Sequence, residues 1–157
     1  MRVNSKADLS GLQNLKKAFG QKKVAKVGII GSGNAREGDQ TNAALGLKHE
    51  FGSPAENIPA RSFLRMPVEN QSKQITMAVV KKRKSIEKAM AEGDMTFAYT
   101  QLGIAAEAAV IRAFSTGGFG QWKPNAPSTI AMKGSSQPLI DTSQLRDNIT
   151  SEVSDED

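Results

Sequence analysis

Between Gly117 and Pro138 the sequence reads GGFGQWKPNAPSTIAMKGSSQP, a stretch holding four glycines and three prolines. Proline lacks a backbone donor and its ring clashes with the preceding helical turn, so neither a long helix nor a central strand can cross it. At most one short helix fits there, starting at Pro127. A shorter segment of the same kind, GSPAENIPARSF, carries Pro54 and Pro59. Long regular elements are confined to the chain before and between these two stretches.

Asp8 stands at an N-cap position ahead of Leu9, Leu12, Leu15 and Phe19, whose spacing predicts a short amphipathic helix ended by Gly20. Val24 to Ile30 is β-branched or small and predicts a strand. In ALGLKHEF, Leu45, Leu47, His49 and Phe51 alternate with Ala44, Gly46, Lys48 and Glu50, which predicts a second strand. The polar run from Gly31 to Thr41 then becomes a long hairpin loop, or an arm that is mobile alone and ordered on assembly.

Pro67 suits a first helical position, and Val68, Ile75, Val79, Ile86 and Met90 form one stripe of a single helix to Ala91, about 37 Å long at 1.5 Å per residue. Gly93 stops it and Asp94 caps the next. There Met95, Ala98, Leu102, Ala105, Ala109 and Ala113 recur up to Thr116, with alanines suited to close packing. LIDTSQLRDNI predicts a final short helix capped by Asp141 or Thr142. ITSEV alternates like an edge strand, and SDED reads as a frayed acidic end. The expected fold is α+β: a small, mostly antiparallel sheet packed against two long helices, with long loops and a short C-terminal helix. Residues 1–150 form one domain, followed by an acidic tail at 151–157.

Several chemistries are disfavoured. There is no cysteine, hence no disulfide framework or thiolate metal site. His49 is the single histidine, so one chain cannot assemble a Ser-His-Asp triad or a His-rich metal centre. In KVGIIGSGNAREGD, Gly31 and Gly33 open like a dinucleotide-binding turn. The third glycine position is Arg36, however, and no apolar-periodic helix follows. Glu50 lies at the distance of a ribose-binding acid, but a strand-loop-strand reading removes the βαβ unit it would need. No cofactor is expected. The N-terminus lacks a signal-peptide core and no apolar run is long enough for a membrane span, so the expectation is a soluble intracellular product with no membrane partner.

Charge is divided along the chain. Met1 to Met90 carries 17 Lys and Arg against 7 Asp and Glu, whereas Ala91 to Asp157 carries 4 against 9. Such polarity serves nucleic-acid contact, or subunits meeting head to tail, or simply two solvated faces. The run KKRK, with Lys81, Lys82 and Lys84, suits a phosphate-contacting helix. Four successive residues nevertheless wrap more than a full turn, and no aromatics are interleaved for stacking.

Two segments carry more than composition. HEFGSPAENIPARSFLR (His49 to Arg65) and FGQWKPNAPSTIAMKGSSQPLIDTSQLRDNI (Phe119 to Ile149) resemble the two signature blocks of the phage virion-morphogenesis family, the Mu-like tail-completion or neck proteins. The matching residues include His49, Glu50, Phe51, Gly52, Ile58, Pro59, Arg61, Phe63, Leu64 and Arg65. In the second block they include Trp122, Pro127, Thr129, Ile130, Lys133, Gly134, Pro138, Leu139, Ile140, Asp141, Thr142, Leu145 and Arg146. Ser143 departs from the family, which usually has Gly there.

The resemblance implies a non-enzymatic structural protein of the virion tail or neck, present in the host cytoplasm during assembly. It implies a homo-oligomeric ring, with a hexamer favoured, against tail-tube and head-connector or neck proteins. Nonspecific contact with packaged DNA is a further expectation, and a basic nucleic-acid-binding module is the rival reading. Expected interface residues are Phe63, Phe119 and Trp122 as anchors, with Arg61, Arg65, Lys81, Lys82 and Lys84. Gly31, Gly33 and Arg36 belong to the expected arm.

Overall fold

The computed structural model describes residues 9–31, 41–140 and 143–156. In chain order the elements are α1 (Ser10–Phe19), β1 (Lys23–Ile29), α2 (Asn42–Phe51), α3 (Arg65–Asn70), α4 (Ser72–Val80), α5 (Arg83–Ala91), α6 (Thr96–Thr116), α7 (Pro127–Lys133), α8 (Gln144–Asp147) and β2 (Ile149–Asp155). The fold is α+β. Among the described residues its sheet is a two-stranded antiparallel ribbon of β1 and β2, running from Lys23 opposite Asp155 to Ile29 opposite Ile149.

α6 is the long central helix, packed on both strands and on α4. Its approach to β2 depends on Gly103, where a Cβ would lie 3.1 Å from that of Ser151. One turn on, Glu107 accepts a hydrogen bond from the Ser151 hydroxyl at 2.8 Å. The core gathers at the C-terminal half of α6, where Val110, Ala113 and Phe114 enclose Phe63, Trp122, Leu145 and Ile149. The ring of Phe114 is tilted on Phe63 at 5.4 Å and meets Trp122 edge-on at 5.7 Å, both favoured arrangements of aromatic quadrupoles.

Three expectations are corrected. Ala44 to Phe51 belongs to helix α2, capped by the Thr41 hydroxyl, which accepts from Ala44 N at 3.1 Å. Its buried positions are Asn42, Gly46 and Glu50, four apart as a helix requires, but none is apolar. Leu47 and Phe51, which suggested a strand, face outward, 63% and 67% exposed.

The single helix from Pro67 to Ala91 is divided into α3, α4 and α5, with Pro67 inside α3 and breaks at Gln71 and at Lys81–Lys82. Like charges three apart, such as Lys81 and Lys84, disfavour a continuous helix by about 0.2–0.5 kcal/mol per pair. Beyond the break α5 packs mainly on α1. Only α6 is long.

The C-terminal end is not a frayed tail up to Asp155. β2 crosses residue 151, Lys23 Nζ contacts Asp155 at 2.6 Å, and Glu156 N donates to Lys22 O at 3.0 Å. Acidic β2 therefore lies against basic β1, with Glu152 opposite Lys26, and the two charge blocks of the sequence partly interleave in space.

The short amphipathic helix is present as α1, and its apolar residues Leu9, Leu12, Leu15 and Phe19 are all exposed. No helix among the described residues is long and apolar enough to cross a membrane.

Candidate functional site

The two blocks singled out in the sequence meet in space. Glu50, near the end of α2, is buried, and its carboxylate faces the chain entering α3. Oε2 accepts from Phe63 N at 2.7 Å and Leu64 N at 2.9 Å. Oε1 accepts from Arg65 N at 3.1 Å and from the Ser62 hydroxyl at 2.6 Å. A carboxylate from a neighbouring helix thus supplies the cap that a short helix cannot find locally, and its negative charge suits a helix N-terminus. Ser62 Oγ in turn accepts from Met66 N at 3.0 Å.

Arg61 joins the first block to the second. It is buried, and its guanidinium donates from Nε to Lys123 O at 2.8 Å and from Nη2 to Pro124 O at 3.1 Å. Burial holds its pKa below the ordinary value, yet a guanidinium stays charged in any such setting. Trp122 adds a third tie, donating its indole N–H to Ser62 O at 3.1 Å.

Within the second block, Asn125 Nδ2 donates to the carbonyls of Ser136 and Gln137, and Lys133 Nζ to those of Gln137 and Ile140, the latter two at 2.6 Å. Gly134 ends α7 in the left-handed conformation. The side chains of Arg61, Trp122, Asn125 and Lys133 are therefore all engaged by backbone carbonyls of irregular stretches.

This corrects several expected anchors. Phe63 is wholly enclosed and Trp122 is buried, so both are core side chains that present no surface to a partner. Arg61 is buried and bonded to the loop carbonyls. Phe119 is half-buried against the core with a positive φ of 55°. Arg65 is exposed and lies 3.8 Å from Glu69. Lys81, Lys82 and Lys84 are exposed beside the α4–α5 break. Gly31 is exposed with φ 62°. Gly33, Arg36 and most of the expected arm lie outside the described residues.

Two of the surface cavities are apolar. A cavity of about 600 Å³ opens between α2, α3 and β1, lined by Val27, Ile29, Leu47, Phe51, Leu64 and Val68 over the buried Phe63. A second of about 380 Å³ lies between α4 and α6, lined by Val79, Val80, Met95, Tyr99 and Leu102. Sequence reasoning missed Glu50 as the organising residue, since its four partners lie 12 to 15 residues on and leave no local signature. It missed the exposure of α1 because periodicity reports that a face is apolar, not what covers it. Among the described residues no group of His, Asp and Glu is placed to hold a metal ion. No protein-family model, curated protein or solved structure matches the chain.

Proposed function

We propose that the chain is a structural protein of a phage tail or neck, a tail-completion or tail-terminator protein acting in head-tail joining. It works through ring-forming protein contacts and without a catalytic step. The observation that supports this reading is the junction of the two signature-like blocks. Arg61 reaches Lys123 and Pro124, and Trp122 reaches Ser62, so residues far apart in sequence form one hydrogen-bonded unit. Side chains engaged in this way serve the fold, as expected of a protein that acts by shape.

In a closed ring each copy offers one face to a different face of its neighbour. The exposed Lys81, Lys82 and Lys84 fit an acidic surface of the next copy or of a tail or neck partner. Replacing all three by Glu is expected to leave the fold intact and to abolish particle assembly; unaltered assembly would count against the contact. The same exposed cluster favours the rival reading, nonspecific DNA binding. A DNA binder loses affinity steeply with salt, log K falling by about 0.9 per phosphate contact per log unit, and absence of binding at low salt would dispose of it.

A further inference from the structure

Two ionised side chains are buried among the described residues, Glu50 and Arg61, and they are treated unequally. Glu50 collects four donors. Arg61, 6% exposed, donates to the carbonyls of Lys123 and Pro124, which uses two of the five N–H groups of a guanidinium. Both acceptors are neutral. Among the described residues no carboxylate forms an ion pair with Arg61, and burial lowers its pKa with no carboxylate acting the other way. A buried charge is ordinarily met by an opposite one, because its lost hydration is otherwise only partly replaced.

The guanidinium also lines a cavity. Arg61 borders a space of about 480 Å³ together with His49, Lys123, Asn125 and Thr129, closed on its apolar side by Ile58, Pro59 and Pro124. A second space of about 250 Å³ shares His49, Arg61, Asn125 and Thr129. The larger volume lies within the range of small-molecule sites, which join apolar walls to a few placed polar groups. One carboxylate, that of Glu56, lines the larger cavity, and Lys48 Nζ holds it at 2.7 Å. Lys123 is exposed and forms no ion pair among the described residues. The lining therefore carries two cations, Arg61 and Lys123, without a balancing charge.

We propose that this cavity binds a small organic anion, a carboxylate or phosphate group on an apolar body, received by Arg61 and Lys123. The two loop carbonyls hold the guanidinium in place, so little side-chain freedom is lost when a ligand arrives. Its other N–H groups supply the charge-assisted bonds that carboxylate and phosphate oxygens accept. Lys123 adds a point charge that draws the anion in, and Ile58, Pro59 and Pro124 cover the apolar body. The site lies within one chain and does not depend on the virion reading.

The test is calorimetric titration of the full-length protein at fixed ionic strength with 3-phenylpropionate, with phenyl phosphate, and with 3-phenylpropanamide as a neutral isostere. At least one of the two anions is expected to bind one per chain, with the amide about tenfold weaker or more, as loss of a charged hydrogen bond implies. The tighter of the two anions assigns the site to carboxylate or to phosphate. Lys123→Gln is expected to weaken that anion about tenfold. Lys88→Gln makes the same charge change at an exposed position on α5 away from the cavity and is expected to leave the affinity within about twofold. Arg61→Lys keeps the charge and loses the fork, and it is expected to weaken binding at least as much as Lys123→Gln. Circular dichroism checks that each variant folds, and Lys123→Gln decides the matter if Arg61→Lys does not.

Dissociation constants above about 10 mM for both anions would overturn the proposal. So would equal binding of the amide, an unchanged affinity in Lys123→Gln, or an equal loss in Lys88→Gln.

Discussion

Glu50 accepts the backbone N–H of Phe63 at 2.7 Å, and through this bond the end of α2 sets where the core begins. The same carboxylate takes three further donors, so four hydrogen bonds converge on one buried charge. Glu50→Gln keeps the shape but replaces one acceptor oxygen with an NH₂ group that faces donors. Leaving buried donors unpaired costs about 1–3 kcal/mol each, so the variant is expected to lose about 2–4 kcal/mol in urea unfolding with an unchanged m-value. A loss below 0.5 kcal/mol, about the scatter of ordinary surface substitutions, would show that the carboxylate does not organise this corner.

Gly118 adopts a φ of 66°, and a Cβ there would fall on the indole of Trp122. Gly118→Ala therefore meets two penalties together, a left-handed backbone and a clash with a buried ring. The expected cost is at least about 2 kcal/mol, of the order of an overpacked core site. Trp122 is the single tryptophan, so intrinsic fluorescence reports the site directly. The emission maximum is expected to move to the red in Gly118→Ala while the secondary structure by circular dichroism stays in place.

The pair Lys48 and Glu56 gives a pH signature. Lys48 Nζ donates to Glu56 Oε1 at 2.7 Å. This bond first, and Ser53 second, hold the Glu56 carboxyl below its ordinary value of 4.5. A carboxylate depressed in the folded state stabilises the protein above the unfolded pKa, and the contribution vanishes as pH falls through the folded one. The Tm difference between the native chain and Glu56→Gln is accordingly expected at pH 7 and low salt, to shrink with added salt, and to close below pH 4.5. A difference that persists unchanged in acid would assign the effect to something other than this pair.

The parts of the fold legible in the sequence are those whose determinants are local. Pro127 starts α7 as expected, Asp94 Oδ1 accepts from Thr96 N at 2.7 Å at the start of α6, and Val24 to Ile29 and Ile149 to Val153 lie in strands. α2 was misread because its buried face is Asn42, Gly46 and Glu50, polar or small residues whose helical period a hydrophobic pattern does not register.

The candidate site was legible in part. The two blocks marked where the chain would be constrained, but buried Arg61 and Trp122 serve the junction itself and not a protein partner. Burial and non-local hydrogen bonding decide that distinction, and neither has a period along the sequence. The apolar face of α1 shows the converse: its periodicity was plain, and only the packing showed that nothing within the described chain covers it.

The central claim, a structural role in a phage tail or neck, is tested most directly by electron microscopy of particles made from the genome that encodes this chain, with its reading frame intact or interrupted. The account predicts that interruption leaves heads and tails unjoined or tails of wrong length, and that supplying the protein in trans restores joined particles. Normal joined particles of normal length from the interrupted genome would contradict it.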